Sequence, residues 1–184
     1  MTLPLLTTPS KMVCSDYFTI YGMDYVVLVD RFSNWPIMFE SKGLAPGLVR
    51  ELQAINSTFC APKEMASDEG TPNMASITQS FLSDWGARDR LSSVANPNSN
   101  TRSELGVKQV KRIMMENVST TGSLHEDAFA KAILSYRNTP CPLTKASPAM
   151  LLFGWSVRDM ISVPVGTFSL HPSLKEMLHH YERA

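Results

Sequence analysis

The sequence predicts an α/β domain with a five-stranded mixed sheet flanked by helices on both faces. Three strand-like segments come first, joined by turns short enough for an antiparallel meander. Helical and strand-like segments then alternate, as they do where a sheet is covered on both sides. The chain has 184 residues, the length of one domain, and its 43% hydrophobic content can build one core.

Taken in order, residues 12–21 (MVCSDYFTIY) are rich in aromatic and β-branched types and read as the first strand. Gly22-Met23-Asp24 reads as a turn. Residues 25–32 (YVVLVDRF) are nearly continuous apolar, the pattern of a strand buried on both faces. Trp35 to Glu40 forms a third strand after the Ser33-Asn34 break. Leu48, Leu52 and Ile55 then fall at helical spacing with Pro46 near the start, so a helix is expected over 46–59. Cys60-Ala61-Pro62 ends it, and a fourth strand over 63–67 closes at Asp68-Glu69-Gly70. Ile77, Phe81, Leu82 and Trp85 mark a second helix, and residues 88–92 a fifth strand.

A polar loop, Asn96 to Asn100, precedes a helix over 102–118 with its apolar stripe at Val107, Val110, Met114 and Val118. Another helix covers 124–137, with Ala128, Ala132 and Ile133 expected inward. Residues 147–153 fit a short helix with Ser147 as cap and Pro148 at its first position. A short amphipathic helix is expected at 172–183. The domain reading is an extension at 1–11, a core at 12–160 and a tail at 161–184.

Seventeen basic and seventeen acidic residues leave no net charge. That excludes a histone-like basic tail and an acidic disordered solubiliser. Any phosphate contact must come from a local patch. Cys14, Cys60 and Cys141 are odd in number and far apart, with no zinc spacing, so no zinc is expected. No basic leader followed by an apolar stretch opens the chain, and the apolar runs are too short to span a bilayer. An intracellular protein with no membrane partner is the expectation.

Carboxylates near element ends are the chemical feature. Asp16 lies within the first strand on the face of Cys14, Phe18 and Ile20, where a charge is costly unless offset. Asp68 ends the fourth strand, and Glu104 stands in the first turn of the helix after the polar loop. If strands one and four are neighbours, Asp16 and Asp68 converge and the helix start brings Glu104 over them. Three such acids repel unless a cation neutralises them. Oxygen-only ligands select Mg²⁺ or Mn²⁺. Two such ions about 3.5–4 Å apart suit in-line phosphoryl transfer. Singly, each acid has an ordinary explanation as a turn, cap or helix-dipole residue. Asp30 reads as structural and Glu69 as a solvated turn residue.

The text around the trio is specific. SDYF (15–18), YVVLVDRFSNWP (25–36), SDEG (67–70), WG (85–86), LSSVANPNSNTRSELGVKQVKR (91–112) and SYRNTP…SPAMLLFG (135–154) resemble the catalytic core of retroviral and retrotransposon integrases, particularly those of gypsy-like LTR elements. The resemblance covers about residues 13–160. It implies a ribonuclease-H-like fold and a signature of Asp, Asp, then Glu after thirty-five residues. Asp16, Asp68 and Glu104 match that signature, including the last interval. They would be catalytic and hold two Mg²⁺ or Mn²⁺ ions.

Glu104, Lys108 and Lys111 stand at i, i+4 and i+7, within about 60° of arc on one helix face. Arg112 flanks that stripe and Arg102 precedes it. A solvated charged face is the ordinary reading. The resemblance instead implies lysines that approach the element's DNA end. It likewise places the 93–101 loop, with Asn98, Ser99 and Asn100, beside the site, although turn chemistry alone accounts for those three.

The family often has Gly at the position of Thr101 and of Cys60, and continues the second Asp with Gly-Gly-Pro or Asn-Gly-Pro where this chain has Glu69-Gly70-Thr71. None of these departures removes a metal ligand. The expected function is metal-dependent 3′-end processing and DNA strand transfer, with element ends and target DNA as partners. Self-association, and nuclear location after cytoplasmic synthesis, follow by resemblance. The flanking zinc-binding and basic domains of integrases are not recognisable, so a core plus a short tail is expected. The alternative is a decayed or domesticated integrase-derived binding or interaction domain. A ribonuclease H would normally use four acids.

Overall fold

The structure, a computed structural model, describes residues 8–67, 76–91, 101–142 and 144–160, apart from the side chains of residues 44, 91 and 101–104. The elements follow the expected order. They are β1 (Met12–Ile20), β2 (Met23–Asp30), β3 (Pro36–Glu40), α1 (Leu44–Thr58), β4 (Glu64–Ser67), α2 (Ser76–Asp84), β5 (Arg88–Leu91), α3 (Thr101–Glu116), α4 (Glu126–Asn138) and α5 (Pro148–Phe153). The helix expected at 172–183 lies outside the described residues.

The five strands form one sheet in the order β3-β2-β1-β4-β5. β1, β2 and β3 are antiparallel neighbours, while β4 pairs parallel with β1 and β5 parallel with β4. The mixed sheet is therefore as expected. The β1–β2 turn sits one residue earlier than the sequence suggests. Ile20 pairs with Met23, and the two turn residues Tyr21 and Gly22 have φ of 49° and 78°. Two positive φ angles define the hairpin turn whose twist matches the strands, and Gly supplies one at little cost.

β2 explains the two-layer packing. Its alternate residues point to opposite faces. Val26 and Leu28 join Leu48 and Leu52 of α1, Met65 of β4, and Phe81 and Leu82 of α2 in one core. Val27 and Val29 join Val107, Val110 and Ile113 of α3 and Ile133 of α4 in another. The near-continuous apolar run of β2 is thus a strand covered on both sides.

At three positions expected in helices the exposure differs from what apolar character alone suggests. Ile77 and Trp85 are exposed, and Thr78 is the buried residue of the first turn of α2. The helix phase is set by Phe81 and Leu82, and Thr78 stands three residues before Phe81. Trp85 lies in the turn after α2 and packs its ring 5.6 Å from Phe81. In α4, Ala128 is exposed, and Phe129 packs on the second core in its place. α3 ends at Glu116, so Val118 leaves the helix and bridges to Leu124. The α5 cap forms as expected: the Ser147 hydroxyl accepts from the Met150 amide at 3.2 Å, and Pro148 opens the helix.

Candidate active site

Asp16 stands opposite Val27 in the β1–β2 ladder, and Cys14 stands opposite Val29. Paired positions share a face of the sheet. Val27 and Val29 pack on α3, so Asp16 lies on the α3 side. A carboxylate there requires a partner. Lys111 of α3 supplies it: its Nζ is 2.7 Å from Asp16 Oδ2. The two side chains keep 36% and 28% of their surface exposed, so the pair is half-solvated. Lys111 Nζ also stands 4.6 Å from the centroid of the Phe18 ring, two positions from Asp16 on the same face. The aromatic face adds a favourable contact to the cation.

The approach of α3 that makes this contact depends on Gly106. A Cβ at that position would come within 2.9 Å of Val29 Cγ1. The helix backbone therefore rests directly on β2. Position 104 lies seven residues before Lys111, on the same helical stripe and about 10 Å along the axis. The side chains of Glu104 and Arg102 lie outside the described residues, as do Asp68, Asn98, Ser99 and Asn100 entirely. β4 runs parallel to β1 up to Ser67, with Cys14 beside Ala66. The Ser15 hydroxyl donates to the Ala66 carbonyl at 3.4 Å and ties the two strands together. Among the described residues, no three His, Cys, Asp or Glu side chains cluster as metal ligands.

Lys108 is exposed one turn before Lys111. Arg112 pairs with Glu116 at 3.8 Å along its own helix. Its charge is thus committed away from Asp16. Asp30 is structural, as expected. It is buried and accepts from the amides of Ser10 and Ser33, each at 2.8 Å, and from the Ser33 hydroxyl.

The residues that sequence reasoning missed lie in the SYRNTP segment. Arg137 donates to the Pro36 carbonyl at 2.8 Å, and its guanidinium lies 4.2 Å from the centroid of the Trp35 ring. Burial lowers the Arg137 pKa to about 10. Asn138 donates to the Val157 carbonyl and the Asp159 carboxylate, and accepts from the Val157 amide. The segment therefore clamps α4 to β3 and to the irregular stretch after α5. The pairing of Trp35 with a distant Arg has no periodic signature. A motif holding one Arg and one Asn beside an aromatic was the available hint.

The fold is that of retroviral integrase catalytic cores. It superposes on the catalytic core domain of BIV integrase with a TM-score of 0.63 at 14% identity, over 79% of this chain and 95% of that one. An HTLV-2 integrase catalytic core in complex with magnesium, in a trimeric form, gives 0.61 at 12% identity, over 79% and 98%. A simian T-cell lymphotropic virus intasome in complex with the PP2A regulatory subunit B56 gamma gives 0.65 at 13% identity, over 93% and 62%. In sequence, the chain is 27% identical over 188 aligned positions to the uncharacterized protein K02A2.6 of Caenorhabditis elegans, covering 97% of this chain. It spans 15% of the length of that relative. No family profile matches the chain. The fold thus agrees with the resemblance drawn from the sequence. Among the described residues, no helix is long and apolar enough to cross a membrane.

Proposed function

We propose that this domain is the catalytic core of an integrase of the retrotransposon type, carrying out 3′-end processing and DNA strand transfer. One observation carries the reading. On an integrase-core fold, Asp16 lies on the face covered by the helix that bears Glu104, and that helix already brings a cation to the Asp16 carboxylate. The parallel register that sets Cys14 beside Ala66 would, if continued, set Asp16 beside position 68.

The donor chemistry fits a divalent cation. Asp16 offers a half-exposed carboxylate whose present partner is a positively charged group. Asp16, Asp68 and Glu104 would hold two Mg²⁺ or Mn²⁺ ions. When bound, such ions activate the attacking hydroxyl or water and stabilise the leaving oxygen of a phosphodiester. The chain's own contribution is positioning and charge. Lys108, exposed on the stripe of Glu104, would hold phosphates of the element's DNA end, with Lys111 beside it. Arg102, Arg112, Asn98, Ser99 and Asn100 would extend that contact. DNA as substrate implies nuclear work, in an assembly of several copies, with residues 12–160 as the working core.

Purified protein with Mn²⁺ should resolve a branched DNA substrate in a disintegration assay, and Asp68→Asn should abolish that activity. Equal activity in the variant would remove this mechanism. No activity in the parent, with DNA binding retained, would favour the non-catalytic integrase-derived binding domain suggested by Glu69-Gly70-Thr71 after Asp68.

A further inference from the structure

We propose that Lys111 is the resident counter-cation of the site and that a divalent ion must displace it from Asp16 to bind. This rests on the reading of Asp16 as a metal ligand. The ammonium sits 2.7 Å from Asp16 Oδ2, the distance of a charge-assisted hydrogen bond. It thus occupies one of the two oxygens through which Asp16 could take a metal. An ammonium and a divalent ion at one carboxylate oxygen repel each other, so the two cations exchange rather than coexist.

The surroundings permit that exchange. Val110 and Met114, on either side of Lys111 in α3, are fully buried and fix the backbone beneath it. The four-carbon stem of Lys111 can move while the helix stays put. The contacts it leaves are inexpensive: a half-exposed ion pair and the face of Phe18. Lys111 therefore keeps Asp16 neutralised without a metal and lowers the site's affinity for one. Lys108 makes no ion pair with a described residue and serves as the control for a general field effect.

The test is Mn²⁺ titration of the whole chain, read by the EPR signal of free Mn²⁺ and by the metal-dependent rise in melting temperature. Lys111→Met should bind Mn²⁺ about two- to fivefold more tightly than the parent, the range expected from loss of a half-exposed ion pair. Lys108→Met should change affinity less than Lys111→Met does, and Asp16→Asn should lose binding. Circular dichroism confirms folding, and Lys111→Gln replaces Lys111→Met if the latter does not fold. Binding by Lys111→Met that is no tighter than the parent's, with Asp16→Asn still defective, overturns the displacement and leaves the metal reading standing. Equal tightening in Lys108→Met reduces the effect to overall field and also overturns it. Unaltered binding in Asp16→Asn, or no binding in either the parent or Lys111→Met, overturns both.

Discussion

The two faces of the sheet are built from the same strands and carry different duties. Against α1 and α2, the strands present Val26, Leu28 and Met65, which pack with Leu48, Leu52, Phe81 and Leu82. Against α3 and α4, Val27 and Val29 form a comparable core, but Asp16 stands on that same face and takes its partner from α3. On the first face the buried carboxylate, Asp30, is closed into the fold by Ser10 and Ser33. The other combines close backbone contact at Gly106 with an ion pair left half in water. Alternation along β1 and β2 is what lets one sheet do both, because a side chain's face is fixed by parity.

If this division holds, truncation on the apolar face should cost the most. Leu48 has no exposed surface and packs in the first core. Leu48→Ala should destabilise the domain by about 2–5 kcal/mol, the range for buried Leu to Ala in close-packed interiors. Urea unfolding measures this as a lower midpoint with an unchanged slope. A loss near zero would mean that the face is not packed.

Gly106→Ala probes the other face and should come next, at about 1–3 kcal/mol, because the added methyl meets Val29. Its distinctive consequence is positional. Lifting α3 from β2 should also loosen Lys111 from Asp16, seen as a change in the Lys111 Nζ environment by NMR. A cost with no such change would separate helix seating from site assembly.

The difference between the faces also explains what could be read beforehand. The apolar runs of β2 and the Leu48-Leu52 spacing are periodic signals, and both became core. The placement of Asp16 on the α3 side followed from parity with Cys14 and Phe18. Its partner did not. The stripe that Lys111 shares with Glu104 reads as a solvated face, the resemblance alone implies a DNA role for it, and nothing in sequence distance shows that the same stripe meets β1 at residue 16. Ile77 marks α2 by its hydrophobicity, yet the phase of the helix turns Thr78 inward and leaves Ile77 exposed. The Arg137–Trp35 contact joins residues about a hundred positions apart, and local pattern cannot supply such a pairing.

The turn from α1 into β4 offers a gain instead of a loss. Cys60 holds φ of 144°, a conformation that favours Gly. Such backbone conformations cost about 1–3 kcal/mol in other residues. Gly brings back about 0.5–1 kcal/mol of unfolded-chain freedom. Cys60→Gly should therefore stabilise the domain by about 1 kcal/mol, measured by urea midpoint. A loss of stability would show that contacts of the thiol outweigh the strain.

The smallest effect should come from the site itself. Lys111 keeps over a third of its side-chain surface exposed, and exposed ion pairs contribute about 0.2–1 kcal/mol. Lys111→Met should therefore cost less than about 1 kcal/mol in metal-free buffer, with the loss shrinking as salt is added. The methionine stem still covers Phe18, so what disappears is charge, not packing. A cost several-fold larger, independent of salt, would mean that Lys111 is a strut of the α3 face, and the contrast between a packed face and a working face would fail at the residue where the two meet.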